Sequence, residues 1–133
     1  MPYLIDTNII IYSIKGNETV NNNFLIYENI PKALSIITYG ELLFGAKKSQ
    51  KIEKNLAVVY RIKELFPIIS IDKPVIETFS DLKANLQKSG KNIDDFDLII
   101  GSTALAYNYT LVTNNEKHFS KIPDLKIENW FKE

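Results

Sequence analysis

Tyr3-Leu4-Ile5-Asp6-Thr7-Asn8 is a short apolar run that ends abruptly in an acid and two polar side chains. Three more segments share this form: Ile36-Ile37-Thr38-Tyr39-Gly40-Glu41, Ile93-Asp94-Asp95-Phe96-Asp97 and Leu111-Val112-Thr113-Asn114-Asn115-Glu116. In an open α/β sheet, ligands bind beyond the carboxyl ends of the strands. Polar groups distant in sequence can therefore meet in one cleft. Carboxylates gathered there repel one another unless a cation sits between them. The pattern points to a divalent-metal site and to hydrolysis.

Around these segments, helical and strand-like patterns alternate. Strands are expected at 2–5, 33–37, 68–71 and 110–113, with a short last strand at 126–128. The first helix starts near Ile9, after capping by Asp6-Thr7-Asn8. A polar loop is expected over 15–23 and a short helix over 24–30. A long helical region runs from Thr38, frays at Lys47-Lys48-Ser49, and resumes from Ile52 to just before Pro67. Pro74 suits a first helical turn, with Val75, Ile76, Phe79, Leu82 and Leu86 as the buried stripe and Gly90 as the stop. A further helix spans 94–107, and a helical turn 117–121. This order implies an α/β fold with a mostly parallel central sheet flanked by helices on both faces, as one domain over 1–133.

The composition narrows the function classes. Sixteen basic and sixteen acidic residues balance, unlike a bulk nucleic-acid binder, and Arg61 is the only arginine. Without cysteine there are no disulfides or thiolate metal sites, and His118 stands alone, so a zinc site has no ligand set. Glycine-rich dinucleotide and P-loop fingerprints are absent. No stretch reaches the roughly 18 uninterrupted apolar residues of a membrane span, and no basic leader opens the chain. A soluble, cytoplasmic protein is the expectation.

Each acid also has a plain structural explanation. Thr38-x-x-Glu41 matches a capping box, and Asp6, Asp94 or Asp97 can serve helix N-termini. Asn114-Asn115 suits a turn, and Lys47, Lys48, Lys51 and Lys54 suit a solvated helix face. Asp97 stands out because it lies inside an apolar stretch. Gly101 and Ser102 follow on or near its face, leaving open space beside a carboxylate that needs a cation or a lysine as partner.

Taken together, the segments resemble a PIN-domain ribonuclease of the VapC toxin type. The matching pieces are Leu4-Ile5-Asp6-Thr7-Asn8, Thr38-x-x-Glu41-Leu42 with Gly45-Ala46-x-Lys48-Ser49, Phe96-Asp97-x-x-Ile100-Gly101, and Val112-Thr113-Asn114-Asn115. The resemblance implies a PIN-like fold and a Mg²⁺- or Mn²⁺-dependent endoribonuclease. It also implies a homodimer, a VapB-like antitoxin partner and an RNA substrate such as tRNA. The family's acids carry over onto Asp6, Glu41 and Asp97 as metal and catalytic residues. A fourth, often acidic, position falls on Asn115, with Glu116 adjacent, and His118 stands where close relatives have Glu. One or two metals remain open on these residues.

The expected chemistry is phosphodiester hydrolysis, with Asp6 and Asp97 on the metal and Glu41 on the metal or the attacking water. Thr7 and Thr113 could position that water or a phosphate oxygen. Two rivals stand beside it. An acidic-cleft phosphatase fits Asp6, but the second aspartate expected two residues on is Asn8. A non-catalytic RNA- or protein-binding module fits the substituted fourth position. For the antitoxin, an apolar groove is expected from Ile9, Ile11, Tyr12, Phe24 and Leu25. Tyr12, Tyr39, Phe44 and Phe96 are expected to flank the site.

Overall fold

The computed structural model describes residues 2–132. Five parallel strands form one sheet: β1 (Tyr3–Ile5), β2 (Lys32–Ser35), β3 (Ile68–Ile69), β4 (Thr110–Val112) and β5 (Ile127–Glu128), in the order β3-β2-β1-β4-β5. Between them run α1 (Thr7–Ile14), α2 (Glu18–Ile26), α3 (Ile36–Lys47), α4 (Ile52–Leu65), α5 (Lys73–Lys88), α6 (Asp95–Ala106) and α7 (Glu116–Phe119).

The central strand is buried on both faces, and its period-two alternation sorts its side chains. Tyr3 and Ile5 enter one core with Ile9, Leu34, Leu42, Val59, Val112 and Trp130. Leu4 enters the other with Ala33, Leu82, Leu98, Ile100, Leu111 and Phe119. Helices therefore cover both faces, as the alternating pattern implies.

From β1 the chain steps outward through β2 to β3, then returns across the sheet to β4 on the other side of β1. Tyr3 pairs with both Lys32 and Thr110, and Ile5 pairs with Val112. The strand order thus reverses between β1 and β4, which opens a crevice at their carboxyl ends.

Several boundaries differ from the sequence expectations. The polar stretch 15–23 is largely helical. Asn17 caps α2 by accepting from the Val20 backbone N–H at 2.9 Å, and fully buried Val20 anchors it. That helix ends at Ile26 rather than Ile30. β2 ends at Ser35, whose side chain accepts from Ile37 N at 3.0 Å and starts α3 two residues early. Thr38 is therefore inside the first turn, and the expected capping box does not form. β3 is only two residues long, and Ile76 is exposed rather than part of the buried stripe.

Gly90 does stop α5. Its φ of +70° allows Lys91 N to reach Leu86 O at 2.9 Å and Gly90 N to reach Gln87 O at 3.1 Å. These two bonds form a Schellman cap.

Candidate metal-dependent nuclease site

Asp6 leaves the end of β1 at the switch point and is buried. Its Oδ1 accepts from Thr7 N at 2.8 Å, capping α1. Its Oδ2 accepts from Thr113 Oγ1 at 2.7 Å, just past the end of β4. The Thr113 hydroxyl in turn accepts from Asn115 N at 3.0 Å. The two strand ends are thus stitched together through one carboxylate.

Burial pushes the Asp6 carboxyl up from 3.8 to about 6. The bonds from Thr113 and Thr7 oppose that rise, while the charges of Asp97 and Glu41 add to it. Desolvation dominates because a buried carboxylate loses water that two hydrogen bonds only partly replace. Thr7 links Asp6 to Glu41, donating its backbone N–H to the first and its hydroxyl to the second, and the charges of Glu41 and Asp97 both act on Asp6.

Glu41 projects from α3 and accepts from Thr7 Oγ1 at 2.6 Å. The Thr7 hydroxyl also lies 3.0 Å from that of fully buried Thr38. Asp97 sits in the first turn of α6, behind the Asp94 N-cap, where helix N–H groups favour an anion. Its Oδ2 lies 3.3 Å from His118 Nδ1 on α7. The Asp97 side chain is 26% exposed, so it faces the cleft rather than the core.

The open space expected beside Asp97 is filled. A Cβ on Gly101 would stand 2.5 Å from Ile122 Cδ1, so that glycine serves helix packing. Ser102 is buried, and its hydroxyl bonds Leu98 O at 2.6 Å.

Asn115 begins α7, and its side chain makes no capping bond. Glu116 is committed elsewhere. Its carboxylate accepts from Lys132 Nζ at 2.6 Å and Asn129 Nδ2 at 3.2 Å, and Lys132 holds its pKa below the ordinary value. Asn129 Nδ2 also reaches Asn114 Oδ1 at 3.0 Å, so the chain's last segment straps this loop. Neither the His118–Asp97 contact nor the strap is legible from residue types; both depend on how α7 docks.

All three acids offer hard oxygen donors, the kind Mg²⁺ and Mn²⁺ take. Among the described residues, no three His, Cys, Asp or Glu side chains stand close enough together to hold an ion unaided. Mg²⁺ commonly takes one or two carboxylates and fills its remaining positions with water and phosphate oxygens. The donor set fits such a cation, which would offset the burial penalty on the Asp6 carboxylate and the smaller repulsion from Asp97 and Glu41.

The expected groove takes a different course. Ile9 is fully buried in the core, Phe24 packs edge-on against Trp130 with ring centroids 5.0 Å apart, and Tyr12 lies against Phe131 at 4.3 Å. What remains open is a cleft of about 270 Å³ between α1, α3 and α4, lined by Ile11, Ile14, Leu42, Ala46, Val58 and Val59, with Glu41 and Lys15 also on its wall. Lys47 and Lys48 end α3, where cations complement the helix dipole, and Lys48 lies over the Phe44 ring at 5.2 Å.

A family profile described as PIN domain matches residues 3–125. Ribonuclease VapC2 of Rickettsia felis is 39% identical over 134 residues, covering 99% of this chain and all of that protein. The tRNA(fMet)-specific endonuclease VapC of Shigella flexneri is 30% identical, with 98% of each chain covered. Among solved structures, VapBC2 from Rickettsia felis bound to a promoter DNA fragment contains a chain that superposes with a TM-score of 0.91 at 37% identity, covering 98% of this chain and 99% of that one.

The chain belongs to the PIN-domain family, as one of its VapC ribonucleases. That membership sets aside the phosphatase reading. PIN-domain ribonucleases depend on divalent metals. Among the described residues, no helix is long and apolar enough to cross a membrane.

Proposed function

We propose that this chain is the toxin of a VapBC-type pair, a cytoplasmic endoribonuclease that hydrolyses RNA phosphodiester bonds, with tRNA as substrate and Mg²⁺ or Mn²⁺ as cofactor. The observation that carries this reading is the buried Asp6 carboxylate at the strand-order reversal, held by Thr7 and Thr113 and pushed up to about 6 beside Glu41 and Asp97.

Asp6 and Asp97 would hold the cation, and Glu41 would hold it or orient the attacking water. The Asn115 carboxamide stands at the fourth position as a neutral oxygen donor. Thr113 fixes the rotamer of Asp6, and Thr7 that of Glu41. When bound, the cation neutralises charge on the phosphate and lowers the pKa of the attacking water. The products are a 5′-phosphate and a 3′-hydroxyl.

Two surfaces suit the protein partners. The cleft beside Glu41 offers an apolar bed for an amphipathic antitoxin helix, and a basic side chain from that helix would reach the acids. Exposed Phe44 and Phe96 flank a second hollow with Ile36, Ile37 and Gly40, which suits a homodimer face.

The test compares RNA cleavage by wild type and Asp97→Asn with Mg²⁺, Mn²⁺ or EDTA. Metal-dependent cleavage lost in the variant supports the site. Equal cleavage by both proteins, or a 2′,3′-cyclic phosphate product, refutes it.

A further inference from the structure

The Thr7 hydroxyl sits between two oxygens, Glu41 Oε1 at 2.6 Å and Thr38 Oγ1 at 3.0 Å. A hydroxyl carries one proton, and a carboxylate can only accept. The shorter contact therefore takes the Thr7 proton, since bonds to a charged acceptor are the short and strong ones. Thr7 Oγ1 is then an acceptor toward Thr38, and the Thr38 hydroxyl must donate to it. The result is a directional relay, Thr38 to Thr7 to Glu41, that joins the first turns of α1 and α3.

The burial of this relay gives it rigidity. Thr38 is fully buried and Thr7 nearly so, whereas Glu41 lies on an exposed position. Among the described residues, no cation pairs with the Glu41 carboxylate, and the Thr7 hydroxyl donates to it. Without a donor on its far side, the Thr7 hydroxyl could turn to other rotamers, and Glu41 would swing with the solvent. Thr38 lies one helical turn before Glu41 on α3, so the two side chains share one face, and both meet the Thr7 hydroxyl.

We infer that Thr38 is a positioning residue, which aims the single Thr7 proton at Glu41 and so fixes the carboxylate facing the metal-dependent site. This inference rests on Glu41 serving that site, as proposed above. Thr38 touches neither substrate nor cation. It acts through Thr7.

The test uses the full chain with Thr38→Val, which keeps the shape and removes the hydroxyl, and Thr38→Ser, which restores it. Thr38→Ala is a second hydroxyl-free variant should valine disturb the packing. Scalar couplings to the Thr7 methyl report its χ1 rotamer independently of activity. The expected result is a single Thr7 rotamer in wild type and Thr38→Ser, and averaged couplings in Thr38→Val. With RNA and Mn²⁺, kcat falls about tenfold in Thr38→Val while KM stays within about twofold, the scale of one hydrogen bond to a charged group. Thr38→Ser recovers most of kcat. Thr7→Val shows the same loss, and adding Thr38→Val to it costs nothing more.

A fixed Thr7 rotamer in Thr38→Val overturns the relay. Averaged couplings with unchanged kcat overturn its functional role. Glu41→Gln separates the two claims: wild-type cleavage in that variant removes Glu41 from the site, while loss of cleavage there with full activity in Thr38→Val overturns the positioning role alone.

Discussion

Asp6→Asn replaces a charge that the fold holds at a disadvantage with a neutral group of the same shape. Burial raises the Asp6 pKa from 3.8 to about 6, against the pull of two hydrogen bonds. That displacement corresponds to about 3 kcal/mol of destabilisation by the ionised form, at roughly 1.4 kcal/mol per pH unit. Asparagine keeps the acceptor for Thr7 N, and its amide can donate to the Thr113 hydroxyl in place of the bond now made to Oδ2. The metal-free variant should therefore be more stable than wild type at pH 7 by about 1–3 kcal/mol, the lower bound allowing for relaxation around the site.

The pH arm has a defined sign. The folded pKa is raised, so the wild type gains stability from proton uptake that is fully present below about 4 and lost as pH rises through about 6. The advantage of the variant should vanish near pH 4, grow between pH 4 and 6, and stay level above. Urea denaturation in EDTA across that range measures it. Adding Mn²⁺ should stabilise wild type and leave Asp6→Asn unmoved, and the variant should not cleave RNA. A metal-free variant less stable than wild type at pH 7, or a difference independent of pH, refutes the reasoning.

Three further outcomes are expected. Mn²⁺ competes with the Asp6 proton, so its affinity should drop several-fold or more between pH 7 and pH 5 in calorimetric titration; equal affinity would place Asp6 outside the metal set. Gly101→Ala puts a Cβ 2.5 Å from Ile122 Cδ1, with Phe119 and Leu125 close behind, and should cost about 1–3 kcal/mol in denaturant unfolding. Trp130→Ala empties a buried aromatic box in which Tyr3 and Phe24 pack edge-on and Tyr27 stacks at 5.5 Å, and should cost roughly 3–5 kcal/mol in the same assay.

Part of the candidate site was legible because Asp6 and Thr113 directly follow strands, whereas Glu41 and Asp97 project from α3 and α6. An apolar run followed by Asp6, or by Thr113, marks a carboxyl end whatever the neighbouring chain does, and the alternation of helix and strand implies that such ends share one edge. Local periodicity likewise revealed the helices around Leu82 and Val59. Short elements were harder. The helix from Glu18 carries three consecutive asparagines, and the burial of Val20, the Asn17 cap and the packing of Phe24 on Trp130 hold it in place. Ile36 and Ile37 look like strand residues, yet the Ser35 cap turns them into helix.

The amino-acid sequence by itself determined the fold class and the family and singled out the three acids as candidates, because these depend on residue types in order along the chain. Tertiary structure alone decided what each polar group touches. It sent the Thr38 hydroxyl to Thr7 rather than to a helix cap, bound Glu116 to Lys132 and Asn129, set His118 beside Asp97, and closed Gly101 against Ile122. It also kept Ile11 on the open cleft, withdrew Ile9 and Phe24 into packing, and added Ile14 and Val58 to its wall. The physical reason is range: capping and periodicity act within a few residues, whereas these contacts join residues that only sheet formation and helix packing bring together.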